Sequence, residues 1–254
     1  MELIGNINEK NIDFCCKFYI FCFLYKSNNV SVNNEEDVVL ASKNYLLEGD
    51  KYFYGRGVEK NYIEARKNYE KAASRNNIEA IYNLGNIYQF GLGVNKDLGK
   101  AYDYLNVAAN RNYPPAINDL GLMYYKGDGI SKNVDKAEAL FLKGAELKYV
   151  LSYYNLGELY YSDSVKNNDE KAFYYYKLAA DSGDSVSMNN VAYLYEHGEG
   201  VELSSKNAII YYEMAFNHGY KSAALNLSNL YNKGNKDMQP SMDKAAFWKE
   251  KALS

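Results

Sequence analysis

Several residue types are scarce in this 254-residue chain, which has 3 prolines, 2 histidines and 1 tryptophan. Its 3 cysteines, Cys15, Cys16 and Cys22, all fall near the start of the sequence. Two histidines leave little for imidazole-based metal sites or general bases, so neither a metal nor a cofactor is expected. Adjacent Cys15 and Cys16 with Cys22 match no zinc spacing, and an odd count closes no disulfide framework. The rest of the chain has no cysteine, so its stability cannot depend on the redox compartment. Charge of one sign is lacking too. Lysine plus arginine (29) nearly balances aspartate plus glutamate (32), without the basic excess that phosphate contacts require, so no nucleic-acid partner is expected. Scarce proline and 47% apolar residues argue against disorder. What the chain does have is 28 tyrosines.

Long apolar runs are missing as well. The most apolar window, Phe14 to Tyr25, is too short for a bilayer span, which takes about 20 residues. It also makes a poor signal peptide, because Glu2, Glu9, Lys10 and Asp13 precede it, Lys17 interrupts it and no small-residue cleavage site follows. Residues 14–25 read as a helix covering one end of the fold, with membrane anchoring or secretion as the alternative. Residues 26–36 read as a polar linker. The expected organisation is therefore an N-terminal segment, 1–36, and a main body, 37–254. Membrane contact is expected only through residues 14–25, and a cytoplasmic location is expected.

The body is periodic. Aligned on a Leu-Gly-x-x-Tyr pattern, it shows anchors at Gly49, Gly85, Gly121, Gly157, Ala192 and Ser228, spaced 36, 36, 36, 35 and 36 residues apart. Three residues after each anchor stands a tyrosine: Tyr52, Tyr88, Tyr124, Tyr160, Tyr195 and Tyr231. Five before it stands a mostly small residue: Asn44, Ala80, Ala116, Ser152, Ser187 and Ala223. With the apolar residue before the anchor, these positions form one stripe at helical spacing, here called helix A. Glycines such as Gly55, Gly91, Gly127, Gly198 and Gly234 then end it. A capping column follows at Asn61, Asp97, Asn133, Asn168, Ser204 and Ser241, the residue types that accept from free N–H groups at a helix start. Helix B carries small residues at Ala65, Ala101, Ala137, Ala172, Ala208 and Ala245, and again seven positions on. Between them the bulky column is expected at Tyr69, Tyr104, Phe141, Tyr175, Tyr211 and Trp248. Small residues two turns apart let a neighbouring helix approach closely while aromatics fill the layers. Neither helix can bury its stripe alone, so six units must stack into an all-α solenoid.

The segment Ala80-Ile-Tyr-Asn-Leu-Gly-Asn-Ile-Tyr-Gln-Phe-Gly-Leu-Gly-Val94, followed by Asp97 and Lys100-Ala101, resembles Sel1-like repeats, relatives of the tetratricopeptide repeat. The likeness extends over roughly residues 40–254. It implies a right-handed superhelix of antiparallel helix pairs and an adaptor role in assembling complexes. Some secreted bacterial members clip each repeat with a cysteine pair, which this chain lacks. Two loops depart from the pattern. Repeat four loses a residue around Ser162-Asp163-Ser164, and repeat six gains one within Gly234 to Pro240. Surface loops tolerate such changes. The alternative is a local change of curvature near residues 162–168.

In this architecture helix A normally lines the concave surface. The stripe beside its buried one falls at −3, +1 and +4 from the anchor and changes residue type between repeats. It comprises Tyr82, Asn86 and Gln89; Asn118, Leu122 and Tyr125; Tyr154, Glu158 and Tyr161; and Asn189, Tyr193 and Glu196. Tyrosine and asparagine supply rigid contact area and adaptable hydrogen bonds, so these twelve are the expected contacts for a protein or peptide partner. No catalytic residue is expected. Ser241-Met-Asp-Lys244 matches the Ser-x-x-Lys pattern of β-lactam-recognising hydrolases, but no companion motif accompanies it and both residues have structural explanations. His197 and His218 lack metal-spaced partners. Gly198-Glu-Gly200 resembles a phosphate loop without the strand or Gly-Lys-Ser that one needs.

Overall fold

A computed structural model describes residues 35–162 and 166–253. The expected readings for residues 14–25, for most of the 26–36 linker and for positions 163–165 lie outside those residues. The fold is an all-α helical-repeat solenoid. The described residues contain twelve helices, and their one piece of β pairing is the isolated bridge between Asn235 and Met238. In chain order they are α1 (Glu35–Tyr54), α2 (Tyr62–Ala73), α3 (Ile78–Phe90), α4 (Leu98–Asn110), α5 (Pro114–Lys126) and α6 (Val134–Glu146). Then come α7 (Val150–Ser162), α8 (Asp169–Asp181), α9 (Ser185–His197), α10 (Ser205–Asn217), α11 (Ser222–Lys233) and α12 (Met242–Leu253). Odd-numbered helices are the A helices and even-numbered ones the B helices. Because α1 begins at Glu35, that residue and Glu36 are helical rather than linker. The chain forms two compact units that divide after Ala101.

The helix starts sit where the capping column puts them. Side chains of Asn61, Asp97, Asn133, Asn168 and Ser204 accept from backbone N–H groups two or three residues on, at 2.9–3.2 Å. The same residues and Ser241 make a second, less obvious bond. Their backbone N–H donates to the carbonyl of the tyrosine three past the anchor, at 2.7–2.9 Å in all six repeats. This bond fixes the loop between the paired helices. Helix A is closed by Gly91, Gly127 and Gly198 in left-handed geometry, and helix B turns at Asn76, Asn112, Lys148, Gly183 and Gly219, all with positive φ. The ladder tyrosines carry lysines from the first turn of helix B: Lys100 over Tyr88, Lys136 over Tyr124, Lys171 over Tyr160 and Lys244 over Tyr231, 4.8–5.1 Å from the ring centres.

The small columns are buried as expected. Ala80, Ala116, Ser152, Ser187 and Ala223 have no exposed surface, nor do Ala65, Ala101, Ala137, Ala172 and Ala208. Asn44 differs and is exposed. The bulky column needs a larger correction. The side chains seated against the anchor glycines are Tyr69, Phe141 and Tyr176, and Leu105 and Tyr212 are the buried residues at the same place on their own helices. Tyr104, Tyr175 and Tyr211 are only half-buried. A one-residue offset turns a side chain about 100° round the helix, away from the anchor. Tyr175 and Tyr211 instead stack on the ladder rings of Tyr160 and Tyr195, with centroids 5.7 and 5.8 Å apart. The anchor itself must be small. A Cβ on Gly121 would stand 2.6 Å from the Phe141 ring, and one on Gly157 would overlap Tyr176.

The two irregular loops have work of their own. In repeats two and five the second loop glycine presses on the start of the preceding helix B, Gly93 on Tyr62 and Gly200 on the Asp169 carbonyl. In repeat four Lys166 reaches the same place on α6 and pairs with Asp135 at 2.8 Å and Glu138 at 2.7 Å. Burial pushes the Glu138 carboxyl up, but hydrogen bonds from Lys166 and the Tyr160 hydroxyl outweigh it and hold the group below its ordinary value. In repeat six Asp237 serves α10. It accepts the Ser205 backbone N–H at 2.8 Å and also bonds the Ser205 hydroxyl, which lowers its pKa. On both sides of the repeat-four loop the A helices stay tied side chain to side chain, Asn155 to Asn118 at 2.7 Å and Asn190 to Glu158 at 3.4 Å.

Candidate functional site

The unit beginning at Tyr102 contains a cavity of about 340 Å³ formed by α7, α8 and α9. Its lining is Glu158, Tyr161, Ser162, Tyr176, Asn189, Asn190, Tyr193 and Leu194. Four of the twelve expected contact residues, Glu158, Tyr161, Asn189 and Tyr193, therefore meet at one place. The other four lining side chains belong to no expected stripe.

The floor is built from the seam. Tyr176 packs against Gly157 and is 1% exposed, and its hydroxyl crosses to donate to Glu158 Oε1 at 2.6 Å. Asn190 donates to the same oxygen at 3.4 Å. Repeat five copies the device, with the Tyr212 hydroxyl donating to Glu196 Oε2 at 2.8 Å, and repeat one does so with Tyr69 and Asp50 at 2.7 Å. Burial and the adjoining carboxylates push these phenols well above their ordinary range, so they remain donors at any physiological pH. The walls are Tyr161 and Tyr193, edge to face with centroids 6.4 Å apart. The Tyr161 hydroxyl donates to Glu199 Oε2 at 3.1 Å, and Tyr193 stacks on His197 at 4.1 Å. Tyr154 flanks the floor, its ring 6.1 Å from Tyr176, and burial with Glu158 nearby pushes its hydroxyl up to about 12.

The remaining expected residues are placed differently. Asn118 is 2% exposed, and its carboxamide oxygen accepts from Asn155 and from Ser152, so it joins α5 to α7 and presents nothing to a partner. Asn189, 9% exposed, does the same with Asn226 on α11 at 2.7 Å while still edging the cavity. In repeats three and five the −3 asparagine thus turns toward the next A helix, where Asn155 or Asn226 at −2 reaches back. Leu122 and Tyr125 are half-buried, and Lys132 lies over the Tyr125 ring. Glu196 is half-buried beside the cavity. In the other unit Tyr82, Asn86 and Gln89 are half-buried on α3. Among the described residues no three His, Cys, Asp or Glu side chains converge as metal ligands, and no helix is long and apolar enough to cross a membrane.

These features define a helical-repeat interaction module whose variable positions lie on one helix of each pair. The Sel1 repeat model matches residues 49–77, 78–113, 114–149, 150–184, 185–220 and 221–254, and the chain belongs to the Sel1 repeat family. Members of this family are generally non-catalytic modules that mediate protein–protein interaction. A Sel1 repeat protein from Oxalobacter formigenes superposes with a TM-score of 0.72 at 29% identity, over 83% of this chain and 84% of that one. A protective antigen of uropathogenic Escherichia coli with an SLR fold gives a TM-score of 0.74 at 23% identity, over 98% of this chain and 56% of the antigen, a likeness of fold alone. A shorter likeness is to the ERAD-associated E3 ubiquitin-protein ligase component HRD3A of Arabidopsis thaliana, 48% identical over 40 residues. That stretch is 16% of this chain and only 6% of the plant protein.

Proposed function

We propose that the chain is a scaffold or adaptor that binds a protein partner on the A-helix face of repeats four and five. The carrying observation is the cavity, where residues that vary between repeats meet over a floor formed by the repeated seam. Pockets that bind are typically preformed, with a few polar groups among aromatic walls, and this one has that composition. The plant relative's name, a component of a ligase assembly, agrees with a partner-binding role for such repeats.

Site-specific photo-crosslinking tests the reading. A photoreactive phenylalanine replaces Tyr193 on the A face, or Tyr174, a more exposed tyrosine on helix B of repeat four. Discrete partner adducts at position 193, absent at 174, are the expected result. Equal adducts at both positions, or adducts at 174 only, would remove the A-face model. Charge reversal at Glu158 is a poor probe of binding, because it strands the Tyr176 hydroxyl.

A further inference from the structure

We infer that the cavity between α7, α8 and α9 takes an arginine side chain from an extended segment of the partner. This rests on the partner-binding reading and names the chemistry that the same site selects. Glu158 lines the cavity, and the groups that meet its carboxyl, the Tyr176 and Tyr154 hydroxyls and the Asn190 carboxamide, are all neutral, so among the described residues no cation pairs with it. Glu199 stands at the rim on the Tyr161 hydroxyl. Among the described residues no lysine or arginine lines the cavity.

The tyrosines make the same point. Elsewhere in this chain Tyr88, Tyr124, Tyr160 and Tyr231 each have a lysine over the ring. Among the described residues Tyr161 and Tyr193 have no such cation, although they stand edge to face and Tyr193 is 38% exposed. A planar guanidinium stacks on one aromatic face and donates in plane to a carboxylate, so one group engages a wall and the floor. A volume of about 340 Å³ is at the small end of ligand pockets, suited to one long side chain. An acidic segment would meet Glu158 and Glu199 as like charges. An apolar one would strip water from the Glu158 carboxylate without replacing it.

The test is an NMR titration of the full chain with three capped tripeptides, acetyl-Ser-Xaa-Ser-amide, in which Xaa is arginine, citrulline or glutamate. Citrulline keeps the shape of arginine and removes its charge. The arginine probe should shift the backbone amides of Glu158, Asn190 and Tyr193 saturably and bind about fivefold more tightly than citrulline, the gap shrinking with added salt. Glu158→Gln, which keeps an oxygen for the Tyr176 hydroxyl, should abolish the gap, and Tyr193→Ala should weaken both probes. Equal binding of arginine and citrulline overturns the inference, as does preference for glutamate or the absence of saturable shifts at those amides with any probe. If the arginine preference fails while adducts at position 193 persist, charge selection falls and the partner-binding reading stands. If the preference holds without adducts, the reverse is true.

Discussion

Tyr176 and Tyr193 line the same cavity, one 1% and the other 38% exposed, and they do different jobs with the same side chain. Tyr176 belongs to the seam between paired helices. Its ring position is dictated by the missing Cβ of Gly157, and equivalent positions in other repeats hold Tyr69, Phe141 and Tyr212. Tyr193 belongs to the A-helix face, where the corresponding residues one, two and three repeats earlier are Glu158, Leu122 and Asn86. The seam takes only large buried side chains, aromatic in four repeats and Leu105 in repeat two, because two backbones close on it. The face tolerates many because one side of it is water. In a repeat protein, then, uniformity down a column marks packing, and variation marks the surface free to be specialised.

The largest break should come in the seam. Tyr176→Ala is expected to cost about 3–5 kcal/mol in a denaturant titration, because it empties a closed layer and leaves Glu158 without its main donor. Tyr176→Phe should recover most of that loss. Next comes Gly157→Ala, where the added methyl must displace the Tyr176 ring, for about 1–3 kcal/mol. Repeat five limits this figure, since Ala192 occupies the same position above a Tyr212 that is still 1% exposed. The seam can widen by one methyl if both helices shift. A smaller change, in the opposite direction, is expected at Ser187, which has no exposed surface and whose hydroxyl has no hydrogen-bond partner. The same column is alanine in three other repeats. Ser187→Ala should therefore stabilise the protein by about 1 kcal/mol, seen as a higher denaturation midpoint with an unchanged slope.

Much of this frame could be read from the sequence, and the parts that could not share a cause. The period, the capping residues and the small columns are local signals, and Asn61, Asn133 and Asn168 cap the helices the spacing assigns them. The choice of Tyr176 over Tyr175 is not local. Tyr174-Tyr175-Tyr176 offers no contrast in hydropathy, and the residue lost from the repeat-four loop moves the register by one. Only contact with Gly157 across the pair decides between them. The Asn118 misplacement had a signal that went unused. Two residues before the anchor stand Asn83, Asp119, Asn155, Asn190 and Asn226, a column that is polar in five of the six repeats and asparagine in four. Recurrent asparagine on a helix face points to side-chain ties between repeats, and three of these residues make them. The jobs of Lys166 and Asp237 lie in loops whose register the repeat pattern does not fix.

The smallest expected effect tests the comparison most severely. Tyr193→Ala should change unfolding free energy by no more than about 0.5 kcal/mol, because its ring is exposed and touches Tyr161 and His197 only at its edge and outer face. Those two neighbours are themselves outside the closed layers. If Tyr193→Ala instead costs as much as Gly157→Ala, the ring is holding α7 against α9, and its place on the A face is packing. Near-neutral stability alongside lost binding would separate the two roles of tyrosine within one cavity.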